Sequence, residues 1–346
     1  MTQHAVPTTS RPDRRRAIAD NTARRRALLA GLCGAWLACT FSAPGLAQDA
    51  PKGPIRILVG FAPGGSSDLA ARIIADKLKD VIGVPVLVDN KAGAGGRIAA
   101  EALKNAAPDG NTLLLTPVVV PVLAPLLFRN LPYDANRDFA PVMHVANYQL
   151  ALSAGSNPPA KSLAELTEWL KANPAKASFG SPAPGSLPHF FGLMVGKSIG
   201  IDIQHVAYKG GAPLHTDLIG GQIPIAIDAL SDCIEQHRGG RLRIVATSGS
   251  TRSPLLPDVP TFRELGYPIE GNGWTAIYAP ANTPKPVIER LNRALKDVLA
   301  QGEAKAKLTN LGFEVTGTSP DELVAIMRAD TAKWGPVIQS SGFKAE

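Results

Sequence analysis

Ile55-Arg56-Ile57-Leu58-Val59-Gly60-Phe61-Ala62-Pro63-Gly64-Gly65-Ser66-Ser67-Asp68-Leu69-Ala70 is the stretch on which the fold turns. Ile55, Ile57, Val59 and Phe61 alternate with Arg56, Leu58 and Gly60, the two-residue period of a strand. Small, turn-forming residues fill 62–68. Leu69, Ala70, Ile73, Ile74, Lys77, Leu78 and Val81 then recur at helical spacing. Downstream, 84–88 reads as a second strand and 93–96 as a glycine turn. Ile98, Ala99, Ala102 and Leu103 share one helical face, Pro108-Asp109-Gly110-Asn111 is a turn, and 112–116 is a third strand. This β-α-β-α-β order predicts a parallel sheet covered by helices.

A second α/β unit starts near Tyr148. Strands are expected at 148–153, 178–180, 203–206, 223–227 and 242–247, with helices at 162–171, 188–198 and 213–219. Ser162-Leu163-Ala164-Glu165 has the pattern of a capping box. The tail is mostly helical. Val287, Leu291, Leu295 and Val298 share a face, and Ser319-Pro320-Asp321-Glu322 places a cap, a first-turn proline and a glutamate three residues on.

The two units echo each other. Residues 60–67 follow a strand and open a helix, and so do residues 179–186, Phe179-Gly180-Ser181-Pro182-Ala183-Pro184-Gly185-Ser186. At a helix start the first backbone N–H groups lack intrahelical partners, and the helix dipole favours an anion. Each loop taken singly is an ordinary tight turn. Together they suggest a two-jawed anion site. Asp228 closes the apolar run 223–227, at a strand's C-terminal end, where α/β sheets bind ligands; a turn or helix-capping role is the other reading.

Enzyme motifs are missing. Gly64-Gly65-Ser66-Ser67 continues as Asp68-Leu69 and so is no P-loop. Gly93-Ala94-Gly95-Gly96 continues as Arg97-Ile98, without the third glycine of a dinucleotide fingerprint. No G-x-S-x-G elbow occurs. Ser186 and His189 are neighbours at a helix start, which does not make a triad. His144, His205, His215 and His237 have no metal-ligand spacing, so neither a metal nor a cofactor is expected.

The 346 residues and 45% hydrophobic content suit two domains with real cores. The formal charge of +7 comes mostly from Arg11, Arg14, Arg15, Arg16, Arg24, Arg25 and Arg26 near the N-terminus. The nearly neutral remainder has no footprint for nucleic acid. Those arginines precede a short apolar run over 27–39, and Gly45-Leu46-Ala47 fits a signal-peptidase cut. Residues 1–47 therefore read as an export signal. Arg25-Arg26-Ala27-Leu28-Leu29 matches the twin-arginine pattern. Cys233 alone would remain in a mature chain, so no intramolecular disulfide is expected.

The chain resembles the Bug family, extracytoplasmic receptors of tripartite tricarboxylate transporters. The resemblance rests on ordered segments: VGFAPGGSSD (59–68), VDNKAGAGG (88–96), PDGNTLL (108–114), LPYDANRDFAP (131–141), VAYKGG (206–211), DLIGGQ (217–222), LPDVPTF (256–262) and APANTP (279–284). It implies a two-lobed α/β periplasmic-binding-protein fold of type II, with lobe one at 53–147 plus 270–346 and lobe two at 148–269. It also implies periplasmic localisation, a small carboxylate or related metabolite held between the lobes, membrane transporter subunits as partners, a monomer and no enzymatic activity. The candidate ligand-binding residues are Phe61, Gly64, Gly65, Ser66, Ser67 and Asp68 in the first jaw, with Thr116 at the third strand's end. Ser181, Gly185 and Ser186 form the second jaw, and Asp228 stands beside it. The second jaw carries more prolines than the family pattern. An exported hydrolase using Ser186 and His189, or a sensor presenting its ligand state to a membrane kinase, would use the same cleft.

Overall fold

The computed structural model describes residues 53–343, with Met1, Thr2 and Ala345. The export signal expected over 1–47 lies outside them but for its first two residues.

Two mixed sheets carry the fold. The first has six strands in the order β11-β4-β10-β3-β1-β2, and the second five in the order β7-β6-β8-β5-β9. In the first sheet β1 (Ile55–Val59), β2 (Val86–Asn90) and β3 (Thr112–Pro117) are parallel. They are linked by α1 (Ser66–Ile82) and α2 (Arg97–Lys104). The expected alternation in β1 is only half right. Arg56 is exposed, but Leu58 is buried along with Ile57 and Val59. Both faces are covered, as central parallel strands require. Leu58 and Leu114 join one core, while Ile57, Val59, Leu113 and Leu115 join the core beneath α1.

Sequence reading missed β4 (Phe139–Tyr148), β10 (Gly273–Pro280) and β11 (Phe313–Val315). β4 contains Pro141, which cannot donate to a ladder, and its pairing with β10 shifts register beside that residue. β10 is buried along its whole length and so shows no alternation.

The second sheet is built from β5 (Leu150–Ala154), β6 (Ser178–Ser181), β7 (Gln204–Ala207), β8 (Ile225–Ala229) and β9 (Arg243–Thr247). Strands β7, β6 and β8 are parallel. The helices between them are α3 (Leu163–Ala172), α4 (Leu187–Ile199), α5 (Gly211–Ile219) and α6 (Leu230–Arg238). The chain ends in α7 (Lys285–Ala300), α8 (Gly302–Asn310) and α9 (Pro320–Ser340). Ser319 and Glu322 complete the capping box expected for α9. At α3 only half of it forms: Ser162 caps Glu165, but the Glu165 carboxylate accepts from the Lys161 N–H instead.

The registers fix how the sheets face one another. β4 and β3 both run antiparallel to β10, so β4 ends at the same edge as the C-terminal ends of β1, β2 and β3. Gln149 alone separates β4 from β5, and Leu150 pairs with Ala229 at the C-terminal end of β8. The chain thus passes directly from the C-terminal edge of one parallel set to that of the other. Open α/β sheets place their ligand sites at such edges. One apolar core includes buried residues of both sheets and the fully buried Trp334 of α9.

Candidate functional site

The first jaw begins where β1 ends. A Cβ on Gly60 would lie 2.5 Å from the Cα of Gly96, so two loop backbones touch where only glycine fits. Gly64 holds φ at +84°, which glycine tolerates. Gly65 is the N-cap of α1 and brings no side chain to cap it. The opening N–H groups of α1, at Ser66 and Ser67, therefore have no intrahelical partners. Phe61 is half-buried, its ring close to Gly96.

Asp68 lies beneath this loop. It is 1% exposed, and its carboxylate accepts from the Gly64 N–H at 2.8 Å, Arg72 Nε at 2.9 Å and Asn90 Nδ2 at 2.9 Å. Asn90 also donates to the Phe61 carbonyl. Burial pushes the Asp68 carboxyl up, but these three donors outweigh it and hold the group below its usual range. Through these bonds Asp68 braces the loop that opens α1. Thr116 is likewise fully buried, its hydroxyl turned to the Pro117 carbonyl.

The second jaw is more occupied than its sequence implies. Ser186 caps α4: its Oγ donates to the Ala183 carbonyl at 2.7 Å and accepts from the His189 N–H. The Gly185 N–H donates to His189 Nδ1 at 3.0 Å, and Pro188 has no N–H to offer. Ser181 is buried, with Oγ 2.7 Å from His205 Nε2. Leu187 thus provides the backbone donor left at the start of α4. Burial lowers the ring pKa of both His189 and His205 to about 4, and for His189 the neighbouring His205 adds to this. His189 Nδ1 must be unprotonated to accept from Gly185. Neither His189 nor Ser186 meets the other through its ring and hydroxyl, so the pair is not a nucleophile and base.

Asp228 stands at the end of β8 as expected, 3% exposed. It does not cap α6, whose N-cap is Ala229. Oδ1 accepts from the Ala229 N–H, and Oδ2 lies 3.3 Å from His215 Nε2 on α5. Asp232, in the first turn of α6, has its carboxyl pushed up to about 7 by the protein packed around it and then by Asp228. Its exposed edge lets water screen part of that effect. Asn90, His205 and His215 escaped sequence reading. Asn90 sits within VDNKAGAGG and ends a strand, which was a usable signal; the two histidines gave none. Among the described residues no cluster of three or more His, Cys, Asp or Glu could hold a metal, and no helix is long and apolar enough to cross a membrane.

Two α/β lobes with paired loops at facing strand ends define a solute-binding protein of the periplasmic-binding class. The chain belongs to the tripartite tricarboxylate transporter receptor family (TctC), whose model matches residues 70–343. It is 34% identical to protein BugT of Bordetella pertussis over 305 residues, 88% of this chain and 94% of BugT. Among solved structures it resembles the periplasmic binding protein BugD, with 31% identity, a TM-score of 0.77, and 86% of this chain and 100% of that one covered. It also resembles R. palustris Rpa4515 with adipate, with 30% identity, a TM-score of 0.79, and 84% and 98% covered.

Proposed function

We propose that this receptor binds a small carboxylate in the periplasm, between lobes spanning 53–147 plus 270–346 and 148–269, and as a monomer hands it unchanged to the membrane subunits of a tripartite transporter. The observation that carries this reading is the uncapped start of α1. Gly65 leaves the Ser66 and Ser67 N–H groups open, and Asp68 braces the loop from below. A carboxylate there meets two amide donors and the positive end of a 17-residue helix. Leu187, across the cleft, adds a donor from lobe two. Rpa4515, a relative in structure, is seen with adipate. The hydrolase alternative is disfavoured because the His189 ring is spent on Gly185.

Gly65 has φ −76° and its Cβ would meet only the Ala62 carbonyl, at 3.5 Å, so Gly65→Val keeps the fold while crowding the amide cradle. Calorimetric titration with a panel of mono-, di- and tricarboxylates including adipate tests the proposal. Binding by the wild type that drops at least about tenfold in Gly65→Val supports it. Equal affinity in a folded Gly65→Val moves the site elsewhere, and conversion of any ligand into product restores the enzyme reading.

A further inference from the structure

After α9 the chain returns to the second jaw. Ser341 Oγ donates to the Ile338 carbonyl at 2.6 Å and accepts from the Phe343 N–H at 3.1 Å, and Gly342 turns the backbone at φ +65°. That turn sets the Phe343 ring in a T-shaped contact with His189, with centroids 5.0 Å apart and planes at 81°. It makes a second such contact with Phe190, at 5.9 Å and 80°. A Cβ on Gly185 would lie 3.3 Å from Phe343 Cε1 and 3.3 Å from Leu127 Cδ1, so two side chains grip the jaw loop. Both stand on segments tied to the first sheet. Leu127 closes the short helical turn Ala124–Leu127 that follows β3. α9 is fastened to β10, where Trp274 Nε1 donates to the Asp330 carboxylate and the Tyr278 hydroxyl to Met327 Sδ. The gripped residues belong to the second sheet's side: Gly185 follows β6, and His189 and Phe190 lie in the first turn of α4.

We propose that this last turn of the chain is a strap between the lobes, in which Phe343 is a positioning residue: it keeps the neutral His189 ring on the Gly185 N–H and so holds the second jaw in its ligand-binding shape. The strap rests on the cleft reading of the proposed function and adds to it a residue that touches no ligand. His189 Nδ1 can accept from Gly185 only while unprotonated, because a protonated imidazole has two donors and no acceptor. Apolar cover disfavours the charged ring, and water favours it. Phe343, Phe190 and Phe179 supply that cover, and His205 of β7 is the titratable group stacked on the ring. Without Phe343 the ring takes a proton more readily, the Gly185 N–H loses its acceptor, and the loop that leads to Leu187 loosens.

Full-length mature protein is compared with Phe343→Ala and Phe343→Leu. Nuclear magnetic resonance follows the His189 ring through its titration. Calorimetry at pH 7.5 and pH 6 uses whichever of succinate, glutarate and adipate binds the wild type best. In Phe343→Ala the His189 midpoint should climb by at least about one pH unit toward the ordinary 6.5. Kd should rise at least about fivefold at pH 7.5 with the loss of two ring contacts. The ratio of variant to wild-type Kd, which cancels the ligand's own titration, should grow by a further factor of about two or more at pH 6. Phe343→Leu keeps an apolar cover and should show both changes in smaller measure; it carries the test should the alanine variant fail to fold. An unmoved His189 midpoint, or wild-type affinity in a folded Phe343→Ala, overturns the strap. So does a Kd ratio equal at the two pH values, which would make Phe343 a packing residue only. Gly65→Val separates the two levels. Binding lost there but kept in Phe343→Ala leaves the cleft and sinks the strap. Binding unchanged there but weakened in Phe343→Ala sinks the first jaw and leaves the strap. Should none of the three acids bind the wild type, the cleft reading falls and the ring titration alone decides the strap.

Discussion

The imidazoles of His189 and His205 stack with ring centroids 3.7 Å apart and planes inclined by 19°. His189 accepts from Gly185, His205 meets Ser181, and Phe179 and Phe343 pack against the pair. Two stacked rings in one apolar wall cannot both carry charge cheaply.

Their pH dependence follows from the shift. Both rings titrate near 4 in the fold, below the ordinary 6.5, so the fold favours the neutral form. The stability this provides is complete above about pH 6.5 and is lost as pH falls from there through about 4. For the buried His189 the loss is on the order of 2–3 kcal/mol. Asp232 acts oppositely, since its raised carboxyl takes up a proton on folding over part of the same range. Melting temperature should therefore fall between pH 6.5 and 4, and fall less steeply in a His189→Gln, His205→Gln double variant. Parallel slopes would show that the rings titrate normally.

Asp68→Ala should destabilise the protein by about 2–4 kcal/mol, because it strands a loop N–H and the Asn90 amide. Ligand affinity should fall as well, by about tenfold, because the Gly64 loop loses its brace. Asp68→Asn should recover part of both. Urea unfolding read beside calorimetry checks the pair of effects; affinity falling with stability unchanged would place Asp68 on the ligand instead.

That case shows what was legible in the sequence. GGSSD stood out as a motif, and its glycines and serines do open α1. Which side of the loop Asp68 faces depends on Asn90 and Arg72, one on the next strand and one a helical turn away. The strand-helix alternation up to β3 was readable because period and turn residues agree there. β4 and β10 were not, since Pro141 breaks the pattern of one and two-sided burial erases that of the other. His205 and His215 looked scattered in sequence. Parallel pairing sets His205 beside Phe179, next to Ser181, and the first turns of α5 set His215 against Asp228. Only tertiary pairing creates either contact.

Gly60→Ala should disrupt the first jaw, since its Cβ would meet the Gly96 backbone at 2.5 Å and neither backbone can move aside alone. A loss of about 2 kcal/mol or more is expected. Gly302→Ala provides the contrast. It opens α8 with nothing within 4 Å of a Cβ, so alanine should stabilise by about 0.4–1 kcal/mol by restricting the unfolded chain. Thermal melts of the two single variants check both signs.

Gln149 ties the crossing between the sheets. Its Nε2 donates to Glu314 Oε1 in β11 at 2.8 Å, and to the Thr251 carbonyl beyond β9 at 3.0 Å. Leu150 donates to Ser248 Oγ, which bonds Asn272 just before β10, so both chain crossings meet at one point. Rotation of one lobe on the other should then bend the chain near 147–149 and 268–274 and strain the Gln149 bonds. A ligand shifts such an equilibrium only by the contacts it adds in the closed form. Small-angle scattering should show the radius of gyration falling when a ligand found by calorimetry saturates the protein. Gln149→Ala should raise the ligand-free radius by loosening the crossing while leaving the liganded radius close to that of the wild type. A radius unchanged by saturation in the wild type would mean that the lobes hold one separation and that ligands enter an already formed cleft.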